Sequence, residues 1–182
     1  MSQLELLKED FEACFKSKFT WRVFLRKYIA FPGLKAVALY RLSRSLHLSG
    51  YIALPQLLVC YSISKTGAEI LPTADIGGGF VIKHPVGIVV GARVVVGRML
   101  TLLQGVTLGE NYKKKDKDQY PTLGDNVTVC ANAAILGPVV VGDHVLVAAN
   151  SIVLKSFSEM SIIGGIPAVK KGEADPQSFY WK

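Results

Sequence analysis

The chain has 182 residues, half of them apolar and 19% charged, which excludes a mainly disordered protein and allows one cored domain with an appendage. Its formal charge is +7, and residues 1–66 hold ten Lys or Arg against four Asp or Glu, so a balance of +6 lies in the first third. No nucleic-acid-binding motif accompanies that basic region, which leaves phosphorylated small molecules or a membrane surface as its expected partners and no nucleic acid.

Three scattered cysteines (Cys14, Cys60, Cys130) fit reduced thiols rather than a disulfide scaffold, and the mixed-charge start from Met1 to Asp10 does not read as a secretory signal. Both point to the cytoplasm. In chain order, Leu4, Leu7, Phe11 and Phe15 recur at helical spacing, and Trp21, Phe24, Leu25 and Tyr28 continue the pattern until Pro32-Gly33 ends it. Leu34 to Leu46 predicts a second helix stopped near Gly50, and Tyr51 to Ile63, with Pro55 inside it, is a third apolar run. That run is too short to span a bilayer, which takes about 20 residues. Residues 1–66 are therefore expected to form a helical cap that packs on the rest of the chain and on neighbouring copies. The alternative is a basic amphipathic surface that makes peripheral contact with a membrane.

From Ile70 the period changes. Ile70, Ile76, Ile82, Ile88, Val94, Leu100 and Val106 fall six apart, and the beat resumes at Leu123, Val129, Ile135, Val141, Val147 and Val153. Neither a helix nor a simple strand has that period, whereas a solenoid of hexapeptides does. Residues 67–170 are thus expected to coil three hexapeptides per turn, with small or β-branched residues two places before the beat (Ala68, Ala74, Ala92, Ala133, Val139, Ser151) closing the bends. The polar, lysine-rich stretch 110–121 predicts a projecting loop on the binding face. The tail 171–182 ends in Phe179, Tyr180 and Trp181, expected to pack on the cap or a neighbouring chain.

Among the three histidines, His47 and His144 read as surface residues. His84 sits at a predicted coil corner before Pro85, and a neutral imidazole suits proton abstraction near pH 7. Glu69 lies fifteen residues earlier, one coil below, where a carboxylate can reach the ring and fix its tautomer. No two histidines share a level of the coil, so no metal site is expected. Cys130 has no histidine beside it in sequence, which makes a cysteine nucleophile a weak reading.

The stretches Ile82-Lys83-His84-Pro85-Val86-Gly87-Ile88-Val89-Val90-Gly91 and Leu103-Gln104-Gly105-Val106-Thr107-Leu108-Gly109 resemble the hexapeptide-repeat acyltransferases, within them the serine O-acetyltransferase branch. Pro32-Gly33-Leu34, Leu39-Tyr40-Arg41 and the exit Gly165-Ile166-Pro167-Ala168 share the likeness. The resemblance implies a left-handed parallel β-helix with an N-terminal α-helical cap, and a homotrimer, possibly a dimer of trimers, with acetyl-CoA between two β-helices. It places His84 on the family's catalytic histidine and Glu69 on the aspartate that orients it. Backbone amides would steady the oxyanion. Ala131 and Ala149 fall where pantetheine approaches the backbone, and Gly109 and Lys113 join them as expected acetyl-CoA contacts. Lys83, Gln104 and Tyr120 are the expected acceptor contacts.

The departures lie on the acceptor side. The family's Asp before the catalytic histidine is Lys83 here, and its Arg-His-Pro after the loop is Gln119-Tyr120-Pro121. An acidic cap motif near Lys18 also has no match. These losses lead to the expectation of an acetyl-CoA-dependent O-acetyltransferase acting on a sugar or polysaccharide precursor. Serine O-acetylation and a non-catalytic β-helix scaffold are the alternatives.

Overall fold

The computed structural model describes residues 1–111 and 119–175. Four helices come first: α1 (Gln3–Phe15), α2 (Trp21–Ala30), α3 (Pro32–Leu48) and α4 (Ala53–Thr66). The single helix expected before Pro32 is two. Lys16 turns left-handed (φ 53°) and ends α1, and the Thr20 hydroxyl accepts from the Val23 N–H to start α2. Five intervening residues let the phenylalanines fold back on one another, so that Phe11, Phe24 and Leu34 form a small second core. Pro32 opens α3 at a position that needs no N–H donor. No helix among the described residues is long and apolar enough to cross a membrane.

The left-handed β-helix follows, with three faces of parallel strands. The first face holds β1 (Glu69–Ile70), β4 (Val89–Val90), β7 (Thr107–Gly109), β10 (Ala134–Leu136) and β13 (Ile152–Val153). The second holds β2 (Asp75–Ile76), β5 (Val95–Val96), β8 (Thr122–Leu123) and β11 (Val140–Val141). The third holds β3 (Val81–Ile82), β6 (Thr101–Leu102), β9 (Thr128–Val129), β12 (Leu146–Val147) and β14 (Ser161–Gly165). A final strand, β15 (Ala168–Glu173), turns back antiparallel on β14 and closes the stack. The aromatic tail Phe179–Trp181 lies outside the described residues.

All thirteen beat residues are buried, none more than 4% exposed. Their register is not uniform, however. Ile70 pairs with Val90, a step of 20 residues, whereas Val90 to Leu108 and Leu123 to Val141 are steps of 18. Two extra residues therefore enter after Ile82, and Ile88, Val94, Leu100 and Val106 fill the inward position two places before the strand beat. Ala92, expected inside a bend, is only half-buried for the same reason.

Side chains of the cap bind the first coil, which has no coil beneath it. Its carbonyls accept instead from the cap: Ala68 from the Ser62 hydroxyl (3.1 Å), Pro72 from Arg44 (3.2 Å), Ala74 from the Tyr40 hydroxyl (3.0 Å), and Ile76 and Gly77 from Arg41 (2.7 and 2.6 Å). The Arg41 guanidinium, 1% exposed, also grips the Asp10 carboxylate of α1 with two nitrogens, at 2.8 and 3.1 Å. Asp10 in turn accepts from the Phe80 N–H at 2.7 Å. Burial pushes the Asp10 carboxyl up, against the opposing pull of Arg41 and the amides of Phe80 and Gly79. Gly33 at the start of α3 touches the Ile82 backbone so closely that a Cβ would lie 2.0 Å from its carbonyl oxygen.

Removing one partner of a buried ion pair leaves an uncompensated charge, so Arg41→Ala or Asp10→Ala should each cost about 3–5 kcal/mol in chemical denaturation. The double variant should cost less than the two added together, because it strands neither charge.

Candidate active site

The edge between the third and first faces is a stack of tight turns. Left-handed residues lie one above another in it: Gly67, Gly87, Gly105, Asn132 and Asn150, with φ from 57° to 76°. They are laddered by the N–H of Gly87 to the Gly67 carbonyl, Gly105 to Val86, Asn132 to Gln104, and Asn150 to Ala131, all at 2.8–3.0 Å. Gly105 is required twice over, since a Cβ there would also sit 2.2 Å from the Asn132 Oδ1. The Asn132 amide reaches the Asn150 Oδ1 at 3.3 Å and links the last two turns.

His84 belongs to this edge through the two extra residues. The Lys83 N–H donates to the Leu102 carbonyl as part of the coil ladder. The turn proper then starts at Pro85, whose carbonyl accepts from the Ile88 N–H at 3.2 Å. The chain between them bulges, and His84 rides on the bulge, exposed, with Lys83 half-buried beside it. Among the described residues the imidazole has no hydrogen-bond partner. Glu69 begins β1 two residues past Gly67, the residue on which the His84 turn is stacked. It lies at the same edge, half-buried, and no hydrogen bond joins it to His84 within one chain.

Gln104, Ala131 and Ala149 stack above this bulge, each immediately before a left-handed residue. Their backbone N–H groups have no acceptor among the described residues, so the edge presents a row of outward donors beside small side chains. Sequence reading found the alanines and missed this row. The clue was the Gly or Asn that follows each of the three, the residue types that tolerate a left-handed turn.

Gly109 and Tyr120 lie at the other edge of the first face, where stretch 110–121 leaves and re-enters the coil. The Asn111 N–H donates to the Gln119 carbonyl at 3.3 Å, which pins the base of the excursion. Lys113 falls outside the described residues. The Tyr120 ring rests on Gly91, where a Cβ would come within 2.6 Å of it. One chain therefore brings Lys83, His84, Glu69, Gln104, Ala131 and Ala149 to one edge and keeps Gly109 and Tyr120 apart from them.

The other histidines are elsewhere. His47 is exposed on α3, and His144 occupies the edge between the second and third faces. There the carboxylates of Asp143 and Asp125 accept from backbone amides of the coil beneath, at 2.7 and 2.6 Å. No group of three His, Cys, Asp or Glu among the described residues could hold a metal ion. Burial pushes the Cys130 thiol up and so disfavours its thiolate. It does the same to Cys14, with Lys83 and Lys27 pulling the other way.

With this geometry in view, comparison with known proteins is informative. Residues 120–155 match the family model for the bacterial transferase hexapeptide (six repeats). A serine acetyltransferase from Bacillus subtilis is 34% identical over 162 residues, covering 89% of this chain and 74% of that protein. One from Helicobacter pylori is 38% identical over 148 residues, covering 81% and 84%. Crystal structures of the Neisseria gonorrhoeae serine acetyltransferase superpose with TM-scores of 0.85 and, in complex with serine, 0.83, at 28% identity. The first covers 95% of this chain but only 66% of the Neisseria chain. These relatives overturn the expectation of a sugar or polysaccharide acceptor. That expectation rested on Lys83, on Gln119 and Tyr120, and on the missing acidic cap motif near Lys18, and side chains at an acceptor pocket can be replaced without changing the acceptor's class, because backbone groups and other charges can take over their contacts.

The thiols provide a check on the site's chemistry. At neutral pH, alkylation followed by mass spectrometry should label exposed Cys60 first and Cys14 and Cys130 slowly. The Cys130 rate should rise only at a pH above that of an ordinary thiol, because its raised pKa lowers the thiolate fraction at any given pH.

Proposed function

The chain belongs to the hexapeptide-repeat acyltransferases, in their serine acetyltransferase branch, and from that premise we propose that it moves the acetyl group of acetyl-CoA to the hydroxyl of L-serine. The observation that carries this reading is His84, raised on its bulge at the foot of a row of outward amides, within a cap and coil stack of which 95% superposes on a serine acetyltransferase.

In this reading His84 takes the proton of the serine hydroxyl while the oxygen attacks the thioester carbonyl. The tetrahedral intermediate then collapses, the C–S bond breaks, and the imidazolium returns the proton to the departing CoA sulfur. Glu69 orients the ring and offsets the imidazolium charge. The amides of Gln104, Ala131 and Ala149 are donors for the pantetheine carbonyls and the oxyanion, and the short alanine side chains let the arm lie on the backbone. Gly109, at the far edge, and Lys113 complete the expected acetyl-CoA contacts. Lys83 supplies a cation for the serine carboxylate, in the place where relatives of this branch carry an acid. Gln104 and Tyr120 complete the acceptor pocket. Because Tyr120 and His84 occupy opposite edges of one face, the reading includes a homotrimer in which one copy's His84 edge meets a neighbour's Tyr120 edge.

Purified protein given acetyl-CoA and serine should release free thiol and form O-acetylserine, detected by mass spectrometry; thiol release without that product, or neither, refutes the assignment. His84→Ala should lower kcat by about 10²–10⁴. Glu69→Gln should lower kcat less and leave both KM values near the parent's. Lys83→Ala should raise the KM for serine and leave that for acetyl-CoA unchanged, which separates acceptor binding from chemistry.

A further inference from the structure

The cap has a property that acetyl transfer does not use. Residues 13–68 contain nine Lys or Arg and not one Asp or Glu. Arg41 and Arg44 are committed to Asp10 and Asp75, and the other seven have no acid of their own segment to pair with. The same stretch carries twelve of the 22 large apolar side chains exposed among the described residues, in less than a third of the chain. An extensive apolar surface mixed with one sign of charge calls for a partner of matching chemistry.

Helix α2 concentrates both features. Its inward side places Phe24 against Phe11 and Phe19, with ring centroids 6.2 and 5.5 Å apart. Outward, Trp21, Leu25 and Ile29 recur every fourth residue and are 56%, 58% and 77% exposed. Arg22 and Arg26 run beside them, also exposed. Next to Trp21 an apolar groove of about 300 Å³ opens between α1, α2 and α3, lined by Leu4, Leu7, Phe24, Tyr28 and Leu42.

We propose that α2 docks this protein on a membrane leaflet rich in anionic lipid. Trp21, Leu25 and Ile29 enter the interface, and Arg22 and Arg26 meet the headgroup phosphates. The charge distribution decides between this occupant and a second copy of the chain. Two such helices apposed would set arginine against arginine with no carboxylate of α2 to pair with them, whereas an anionic leaflet neutralises both. The proposal is independent of the acceptor assignment, since neither helix residue touches the His84 edge.

Co-sedimentation with vesicles tests it, using equal parts phosphatidylglycerol and phosphatidylcholine against phosphatidylcholine alone. The full chain should pellet with the mixed vesicles, remain in solution with the neutral ones, and release as salt rises. Arg22→Gln and Arg26→Gln should each weaken the partition roughly fivefold. Ile29→Glu should abolish it, with all three variants keeping the parent's unfolding midpoint because their side chains are exposed. Absence of pelleting with anionic vesicles, or pelleting unchanged in the variants, overturns the proposal. So does an Ile29→Glu variant that lowers the particle mass in sedimentation velocity while vesicle binding stays at the parent's level, which would identify the face as a contact between copies.

Discussion

A coil of parallel strands stacks only if each turn of chain returns to the register of the turn beneath it, and that closure condition dictates where this protein can carry chemistry. Within a strand, one added residue would swap the inward and outward faces and expose the beat residues. Added residues must therefore leave the prism at an edge. This chain breaks closure three times among its coils: at the bulge around Lys83–Pro85, at stretch 110–121, where Val96 pairs with Leu123 after a step of 27 residues, and after Val153, where Val147 pairs with Ile163 after a step of only 16. All three irregularities border the first face. The histidine is accessible because the coil holding it is two residues too long, and the eighteen-residue coils above provide the flat row of turns against which a long substrate can lie.

The stack also needs a floor. An unpaired edge strand would offer its carbonyls to any passing chain, and here the cap takes them up one by one through Ser62, Arg44, Tyr40 and Arg41. Arg41 does more than satisfy two carbonyls, since its pairing with Asp10 draws α1 onto α3 and its backbone contacts place both on the first coil. A buried guanidinium costs much desolvation, and five hydrogen bonds, counting the long one to Gln3, offset it. Glu69 opens that same first coil, so the interactions that seat the cap also fix one side of the His84 edge.

Much of this was legible in the sequence. The hexapeptide beat could be read because burial in a narrow prism tolerates only Ile, Val or Leu at those points, and all thirteen positions obey. The phase slip was not, because Ile88, Val94, Leu100 and Val106 remain apolar in either register. The inward position two places before the strand beat accepts Ile, Val or Leu as readily as alanine. The break between α1 and α2 was passed over because apolar residues continue across it, and two signs marked it: Trp21 lies six residues after Phe15, off the helical stripe, and Thr20 is a capping residue followed by helix. The row of free amides is marked in the sequence only by the Gly or Asn after each donor, and those residues line up only once the turns are stacked.

The acceptor was the poorest guide from sequence, and the geometry explains why. A fold is specified by many positions that must agree, whereas an acceptor as small as serine needs only a few groups, which the proposed site draws from two edges of a face. Within one chain Tyr120 and His84 do not meet, so their joint meaning depends on how copies pack and cannot be read from their spacing along the sequence. Replacing an acid by Lys83 changes the sign of one contact, but a zwitterion offers both signs to its site, and a cation beside the proposed base can serve the carboxylate as an acid would serve the ammonium. Charge reversal at a single position is therefore weak evidence for a different acceptor, and identity of 34% and 38% over more than four-fifths of the chain weighs more on the side of the relatives' acceptor.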